Sequence, residues 1–256
     1  MTAQVEQMVQ LLCAAREQGR QADASGLELT LQGADDAYAV QDAVAQRLAW
    51  WQKDAAPMHW KAGGPGRAAA LVHAPLPPGG VWPSPADARH WPAHVHGIEA
   101  EIALRLGQAV TPAQAQHLDH AQATELVDAM AVAIELVDFR WQQQAGANEW
   151  LKLADLQSHG ALVLGPWVPF EARDWQAQVC RVRIGSQPLI ERQGTHSLQD
   201  PAWLLPQWLV HATQRFGTLA AGTVVTTGTW IGMPWAQPGD LVEASFDGIG
   251  SALVQL

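Results

Sequence analysis

Cysteine is nearly absent from this 256-residue chain: Cys13 and Cys180 lie far apart, in neither a metal-ligand spacing nor a disulfide framework, which excludes a disulfide-stapled scaffold. No uninterrupted apolar run approaches the roughly 18–20 residues that cross a bilayer, so no membrane-spanning segment is expected. The first twenty residues lack an apolar stretch long enough for a secretion signal, and the cytoplasm is the expected compartment. Basic residues are scarce too. Fifteen Lys and Arg against 25 Asp and Glu give a formal net charge of −10, with no basic run to track phosphates, which argues against a nucleic-acid partner. An acidic protein that handles an acidic substrate then needs local positive charge, from a divalent ion, from Lys61 or from an arginine. Internal repeats and low-complexity segments are also missing, which excludes solenoid and array architectures.

What is present sorts by texture. A chain of this length buries roughly 70–75% of its unfolded surface, enough for one sizeable core with or without a small helical region. Residues 4–18 repeat apolar groups at Val5, Met8, Val9, Leu12 and Ala15, the helical period, and Gly19 marks the stop. A second helix is predicted from Asp35 or Asp36, whose carboxylates can cap free amides, through Tyr38, Val44 and Leu48 to Trp51. Residues 62–93 are rich in Gly, Pro and Ala and predict an ordered but irregular connection. Beyond residue 95 strands alternate with helices: a strand over 97–106, a helix within 112–129 opened by Thr111-Pro112, a strand over 131–139, a helix starting near Pro206, and a strand over 223–228. The tail reads as a hairpin, 240–246 and 252–256, around Asp247-Gly248-Ile249-Gly250. Thirteen tryptophans are many for this length, but Trp50, Trp51 and Trp208 sit in helical apolar patterns and read as core. The mixture predicts an α+β fold, with residues 1–93 forming a small N-terminal helical region and its connection, and 94–256 a mixed β core.

Chemistry concentrates in the strand Ile98-Glu99-Ala100-Glu101-Ile102-Ala103-Leu104-Arg105-Leu106, whose two-residue alternation turns five apolar side chains one way and Glu99 and Glu101 the other. The next strand brings Glu135 into a run of small and β-branched residues, where an unpaired charge is costly. Two carboxylates about 4 Å apart repel by roughly 4 kcal/mol at an effective dielectric near 20, so a buried set must share a proton, find cations or bind a metal. Three hard oxygens suit Mg²⁺ or Mn²⁺ and leave positions open for water and a chelating substrate. The competing reading is a solvated strand face, on which Glu-x-Glu followed by Arg105 is ordinary.

Several blocks appear in a fixed order: Ala37-Tyr38-Ala39-Val40-Gln41, Trp60-Lys61-Ala62-Gly63, Ile98-Glu99-Ala100-Glu101-Ile102-Ala103, Ile134-Glu135-Leu136-Val137-Asp138, Ala154-Asp155 with Gly160 and Leu164-Gly165, Thr226-Thr227-Gly228-Thr229, Pro238-Gly239-Asp240 and Gly248-Ile249-Gly250-Ser251. Over most of its length the chain thereby resembles the 2-keto-4-pentenoate hydratases and related oxalocrotonate decarboxylases of the fumarylacetoacetate hydrolase superfamily. The resemblance implies a mixed β-roll or sandwich catalytic core, and it matches Glu99, Glu101 and Glu135 to the family's magnesium or manganese ligands. Glutamate at 135 looks like the hydratase branch, since the hydrolase branch places aspartate there. Lys61 matches the lysine of the family's Lys-x-Gly motif, Asp155 and Ser158 fall in its Ala-Asp-Asn-x-Ser segment, and Thr227 and Gly228 resemble the loop that receives a substrate carboxylate.

Lys61 and Asp155 are therefore the expected proton carriers, and Ser158, Thr227 and Gly228 the expected substrate contacts. The implied activity, within aromatic-compound catabolism, is addition of water to a 2-hydroxy-2,4-dienoate to give a 4-hydroxy-2-oxo acid. Decarboxylation of a 4-oxalocrotonate-type substrate, or a catalytically silent partner subunit, are the alternatives, and a homo-oligomer or hydratase–decarboxylase complex is implied. The chain departs from the family at Leu156, which replaces the asparagine. It departs again after Lys61, where Asp87 is the one carboxylate before Glu99 and does not align with the family's acid. Asp138, at odd spacing from Glu135, reads as structural. A cupin-like site built on His94-Val95-His96 and Glu101 is the rival outside the family; it lacks a second histidine motif and leaves Glu135 unused.

Overall fold

The apolar period over the first residues closes as a helix, α1 (Ala3–Gln18), capped at its start by the Thr2 hydroxyl and ended by Gly19 in a left-handed conformation (φ 60°) that costs glycine little. A second helix, α2 (Ala34–Arg47), packs beside it. It starts at Gly33 without a side-chain cap and stops before Trp51; Asp36 instead accepts from the backbone N–H of Gln32. Met8, Val9, Leu12, Val40 and Val44 bury themselves with Trp141 and Leu151 in an apolar cluster separate from the main core. The computed structural model describes residues 2–27, 30–52 and 55–256.

Strands follow in chain order: β1 (His59–Gly63), β2 (Val72–Pro75), β3 (Val81–Pro83), β4 (Ala86–Asp87), β5 (His96–Leu106), β6 (Val127–Val137), β7 (His159–Leu164), β8 (Val168–Pro169), β9 (Val179–Ile184), β10 (Ile190–Gln193), β11 (Val224–Thr226), β12 (Trp235–Ala236), β13 (Leu241–Phe246) and β14 (Gly250–Gln255). One sheet runs β2-β1-β11-β5-β6-β7-β3, with β12 added on β5 and β8 on β6; the other runs β10-β9-β13-β14-β4. The fold is α+β, a curled mixed sheet packed on a smaller one, with a few helices. The Gly/Pro-rich stretch does hold short pieces of strand: β1 and β2 pair with each other, and β1 lies parallel to β11.

The span 112–129 departs from the single helix expected. It forms two short helices, α3 (Pro112–Ala115) and α4 (His120–Thr124), each opened by its own capping box, Thr111 with Gln114 and Asp119 with Gln122, and the next strand has begun by Val127. A second cap inside the span ends one helix and starts another. α5 (Glu149–Ala154) precedes β7, and α6 (Leu205–Phe216) carries Pro206 in its first turn after a 3₁₀ turn, Pro201–Leu204, capped by Asp200. Trp208 is core as expected, whereas Trp50 and Trp51 are half-buried. Among the described residues no helix is long and apolar enough to cross a membrane.

The main core lies between the sheets. Ile98, Ile102 and Leu104 of β5 and Val132, Ile134 and Leu136 of β6 meet Val182, Val242, Phe246 and Val254 of the smaller sheet. Each buried aliphatic side chain is worth about 1.5–3 kcal/mol, which fixes strand register, because a one-residue slip would carry all of them to the other face. That same register holds the opposite face of β5 and β6 in place, where the glutamates lie.

Candidate metal centre

β5 and β6 are antiparallel, with Glu99 directly opposite Glu135 and Glu101 opposite Ala133. Alternation puts all three carboxylates on one face, the alanine leaves room for the diagonal approach of Glu101 to Glu135, and one oxygen from each lies within 4.8 Å of the others. Glu101 and Glu135 are buried and Glu99 is half-buried. Lys61 reaches them from β1, three strand spacings from β6. On a flat sheet that is about 14 Å between backbones, so the 2.5 Å contact of its Nζ with Glu135 Oε1 needs the length of both side chains together with the curl of the sheet. Lys61 Nζ also donates to the carbonyl oxygen of Gln157 at 3.3 Å. His159 Nδ1 meets Glu135 Oε1 at 3.1 Å, and the Gly228 N–H donates to Glu101 Oε2 at 2.7 Å. A cleft of about 450 Å³ opens onto Lys61, Glu99, Glu101, Gln157 and Gly228, with Gly63, Gly64 and Val72 among its uncharged walls.

Burial pushes the Glu99 carboxyl up to about 7, against the pull of Lys61. Burial and the two neighbouring carboxylates push Glu101 up to about 8. Burial acts on Glu135 in the same sense, but the Lys61 ammonium and the His159 hydrogen bond outweigh it and hold this carboxyl down at about 2. Lys61 itself is opposed by burial and raised by the three carboxylates, so it keeps its proton, while burial lowers His159 and leaves a neutral imidazole whose Nδ1–H donates to Glu135. Once Glu99 and Glu101 ionise, one ammonium cannot balance three carboxylates. Among the described residues Glu135 Oε2 is buried without a hydrogen-bond partner, an orphan that costs free energy unless something positive meets it. Hard, anionic oxygens with one orphan among them fit a hard divalent cation.

Asp155, Ser158 and Thr227, also expected at the site, do not line this cleft. Asp155, expected to carry protons, is buried with its carboxylate taken up by Arg16 Nη2 at 2.9 Å and Arg140 Nε at 2.8 Å, and it does not line the cleft. The Thr227 hydroxyl donates to the Ile102 carbonyl at 2.8 Å, and Gly228, which lines the cleft, gives its N–H to Glu101. Ser158 is buried outside the cleft lining. Asp87 is exposed and paired with Arg89, and His94 bridges Asp138 and the Gly19 carbonyl, which rules out the cupin-like arrangement. Asp138 is structural as expected, accepting from the N–H groups of His94 and Val95. Sequence reading missed the holding roles of His159, Gly228 and Gln157 and the arginine pair on Asp155. A histidine directly after Ser158 was the one visible sign of the first; backbone donors and acceptors leave none.

Comparison with known proteins bears on this geometry. Residues 39–256 match the fumarylacetoacetate (FAA) hydrolase C-terminal family. The chain belongs to that family. Among curated FAA hydrolase relatives, 2-keto-4-pentenoate hydratase 1 of Dechloromonas aromatica (strain RCB) is 31% identical over 161 residues, 60% of this chain and 57% of that protein. The 2-keto-4-pentenoate hydratase of Paraburkholderia xenovorans (strain LB400) is 30% identical over 165 residues, 62% and 58% of the two chains. The chain thus matches less than two thirds of the length of these relatives. Among solved structures, 4-oxalocrotonate decarboxylase from Pseudomonas putida G7, complexed with calcium and acetate, superposes with a TM-score of 0.81 over 100% of this chain and 98% of that one at 18% identity. The same enzyme complexed with magnesium and adipate gives 0.80. At that identity the likeness establishes the FAA hydrolase fold.

Proposed function

We propose that this FAA hydrolase family member is a divalent-metal-dependent hydratase that adds water to a 2-hydroxy-2,4-dienoate of the 2-oxopent-4-enoate type, giving a 4-hydroxy-2-oxo acid. The observation that carries the reading is the convergent trio Glu99, Glu101 and Glu135, with Glu135 Oε2 unpartnered among the described residues. The hydratase names of the curated relatives support the reaction, and the calcium and magnesium in the decarboxylase complexes support a divalent ion.

Glu99, Glu101 and Glu135 would hold the ion, which when bound supplies Lewis-acid stabilisation to the oxygens of a 2-oxo acid. Lys61 holds its proton at Nζ, so it serves as proton donor or as charge partner for the substrate carboxylate, and not as the base. His159 and the Gly228 N–H hold two of the carboxylates in place for the ion. In the net reaction water places its hydroxyl on C4, the remaining proton of water and the proton of the C2 hydroxyl end on carbons 3 and 5, and C2 becomes a ketone. Ala62, Gly63, Gly64 and Val72 beside the trio suit a short uncharged tail.

Chelator-treated protein is expected to be inactive on 2-hydroxypenta-2,4-dienoate and to recover with Mg²⁺ or Mn²⁺, read as loss of the dienol's ultraviolet absorbance. Full turnover without metal overturns the proposal. Release of carbon dioxide from an oxalocrotonate-type substrate in the same assay would move the reading to the decarboxylase, and metal binding without either reaction to a silent partner subunit.

A further inference from the structure

The segment between α5 and β7 holds three consecutive residues in the left-handed region, Leu156 (φ 54°), Gln157 (φ 56°) and Ser158 (φ 61°). None is Gly, Asn or Asp. Such a residue costs roughly 1–2 kcal/mol, and a run of them persists only where the surroundings over-determine it. The surroundings here are specific. Asp155 stands immediately before the run, its side chain 1% exposed; Oδ1 accepts from Arg16 Nη2 at 2.9 Å and from Arg140 Nε at 2.8 Å, and Oδ2 accepts from the Arg140 N–H at 3.2 Å. The Ser158 N–H donates back to the Asp155 carbonyl at 2.9 Å, and the Ser158 carbonyl accepts from the Asp138 N–H at 3.0 Å. Both ends of the run are thus fixed. Its middle residue, Gln157, presents the carbonyl that receives Lys61 Nζ, and it lines the cleft.

We infer that Asp155 is a positioning residue: its ion pairs with Arg16 and Arg140 pin the left-handed turn so that the Gln157 carbonyl fixes Lys61 against Glu135, which couples the C-terminal end of α1 to the cleft. The inference rests on Lys61 acting in the proposed hydration. Charge-assisted bonds of this kind are about twice as strong as neutral ones, and one guanidinium remains when the other is removed, so the turn should loosen in steps.

Three lysines, Lys53, Lys61 and Lys152, make the side-chain ammonium signals of the full chain resolvable by nuclear magnetic resonance, with Lys61→Met assigning its own. In the metal-loaded protein the Lys61 ammonium, held by two acceptors, should show a slowly exchanging signal. Asp155→Asn is expected to broaden or shift that signal and to lower kcat about tenfold or more, while KM and the Mg²⁺ affinity stay within about twofold, since small misplacements of a reacting group cost this much. Arg16→Ala should move both readouts in the same direction by less, and Arg16→Lys should restore most of them. An unchanged Lys61 signal in Asp155→Asn overturns the inference, as does lost turnover in Asp155→Asn beside a wild-type Arg16→Ala, which would make Asp155 a chemical participant. Should Asp155→Asn fail to fold, Arg16→Ala decides alone: an altered Lys61 signal supports the coupling and an unaltered one refutes it. If wild-type protein shows no hydration yet the Lys61 signal still depends on Asp155, the positioning stands and the hydratase reading falls.

Discussion

Glu101 has one carboxylate oxygen fixed by the Gly228 N–H at 2.7 Å and sits across from the small side chain of Ala133, which leaves it one defined direction of approach to Glu99 and Glu135. Glu101→Gln keeps a carbonyl oxygen for Gly228 and removes the charge alone. Groups one step removed from a bound metal already cost on the order of 10–100-fold in affinity when mutated, so a loss of at least about tenfold in Mg²⁺ or Mn²⁺ affinity is expected by titration calorimetry, with the apo-protein still folded. Unchanged affinity would remove Glu101 from the proposed ligand set. At this scale the glutamates were legible because two-residue alternation is a property of sequence. The commitments of Asp155, Thr227 and Gly228 were not: each is decided by a partner more than a dozen residues away, Arg16, Ile102 and Glu101.

Elements explain how strand ends hold the site in register. β7 leaves the large sheet at Gly165, where a Cβ would meet the Ser251 carbonyl oxygen of β14 at 2.5 Å and that of Val132 at 3.1 Å, so a backbone approach between the two sheets is possible only for glycine. Gly165→Ala is expected to destabilise by about 2 kcal/mol through overpacking, a fall of roughly 4–8 °C in melting temperature for a chain of this size. A melting temperature equal to wild type would show that this approach does not constrain the fold. Leu156 belongs to the same scale. It holds a left-handed backbone conformation that asparagine, the residue the sequence resemblance leads one to expect there, tolerates better, and burial of its side chain offsets part of that cost. α1, β5, β6 and the closing hairpin followed from periodicity, because each is amphipathic with a local stop signal. The interval 112–129 did not, because a second capping box at Asp119 interrupts a helical composition.

Across the whole molecule the carboxylate trio links metal, pH and stability. Glu99 and Glu101, pushed up to about 7 and about 8 from the usual 4.5, bind protons in the native state that the unfolded chain has already released, so the metal-free protein loses stability as pH rises from about 4.5 through about 8. Glu135, held at about 2, works in the opposite sense and only in the acid range, where its stabilising contribution disappears as pH falls below the usual 4.5. A cation relieves the repulsion that appears once the pair ionises. The difference in melting temperature between Mg²⁺-loaded and chelator-treated protein should therefore grow between about pH 7 and about pH 8.5. A difference that is flat or shrinks over that interval would show that the three carboxylates do not meet at one ion.

Sequence by itself determined the mixed α+β class, the apolar face of β5 and β6 and the shared face of Glu99 and Glu101, because these depend on periods of 2 and 3.6 residues that the backbone imposes locally. Tertiary structure decided the rest. It chose which strand lies opposite which, and so set Glu135 beside Glu99. By curling the sheet it brought Lys61 within side-chain reach of Glu135, and it bound Asp155, read in the sequence as a proton carrier, to Arg16 and Arg140. These are choices among partners distant in the chain, and pairing over such distances is set by the packing of both sheets together rather than by any local stretch of residues.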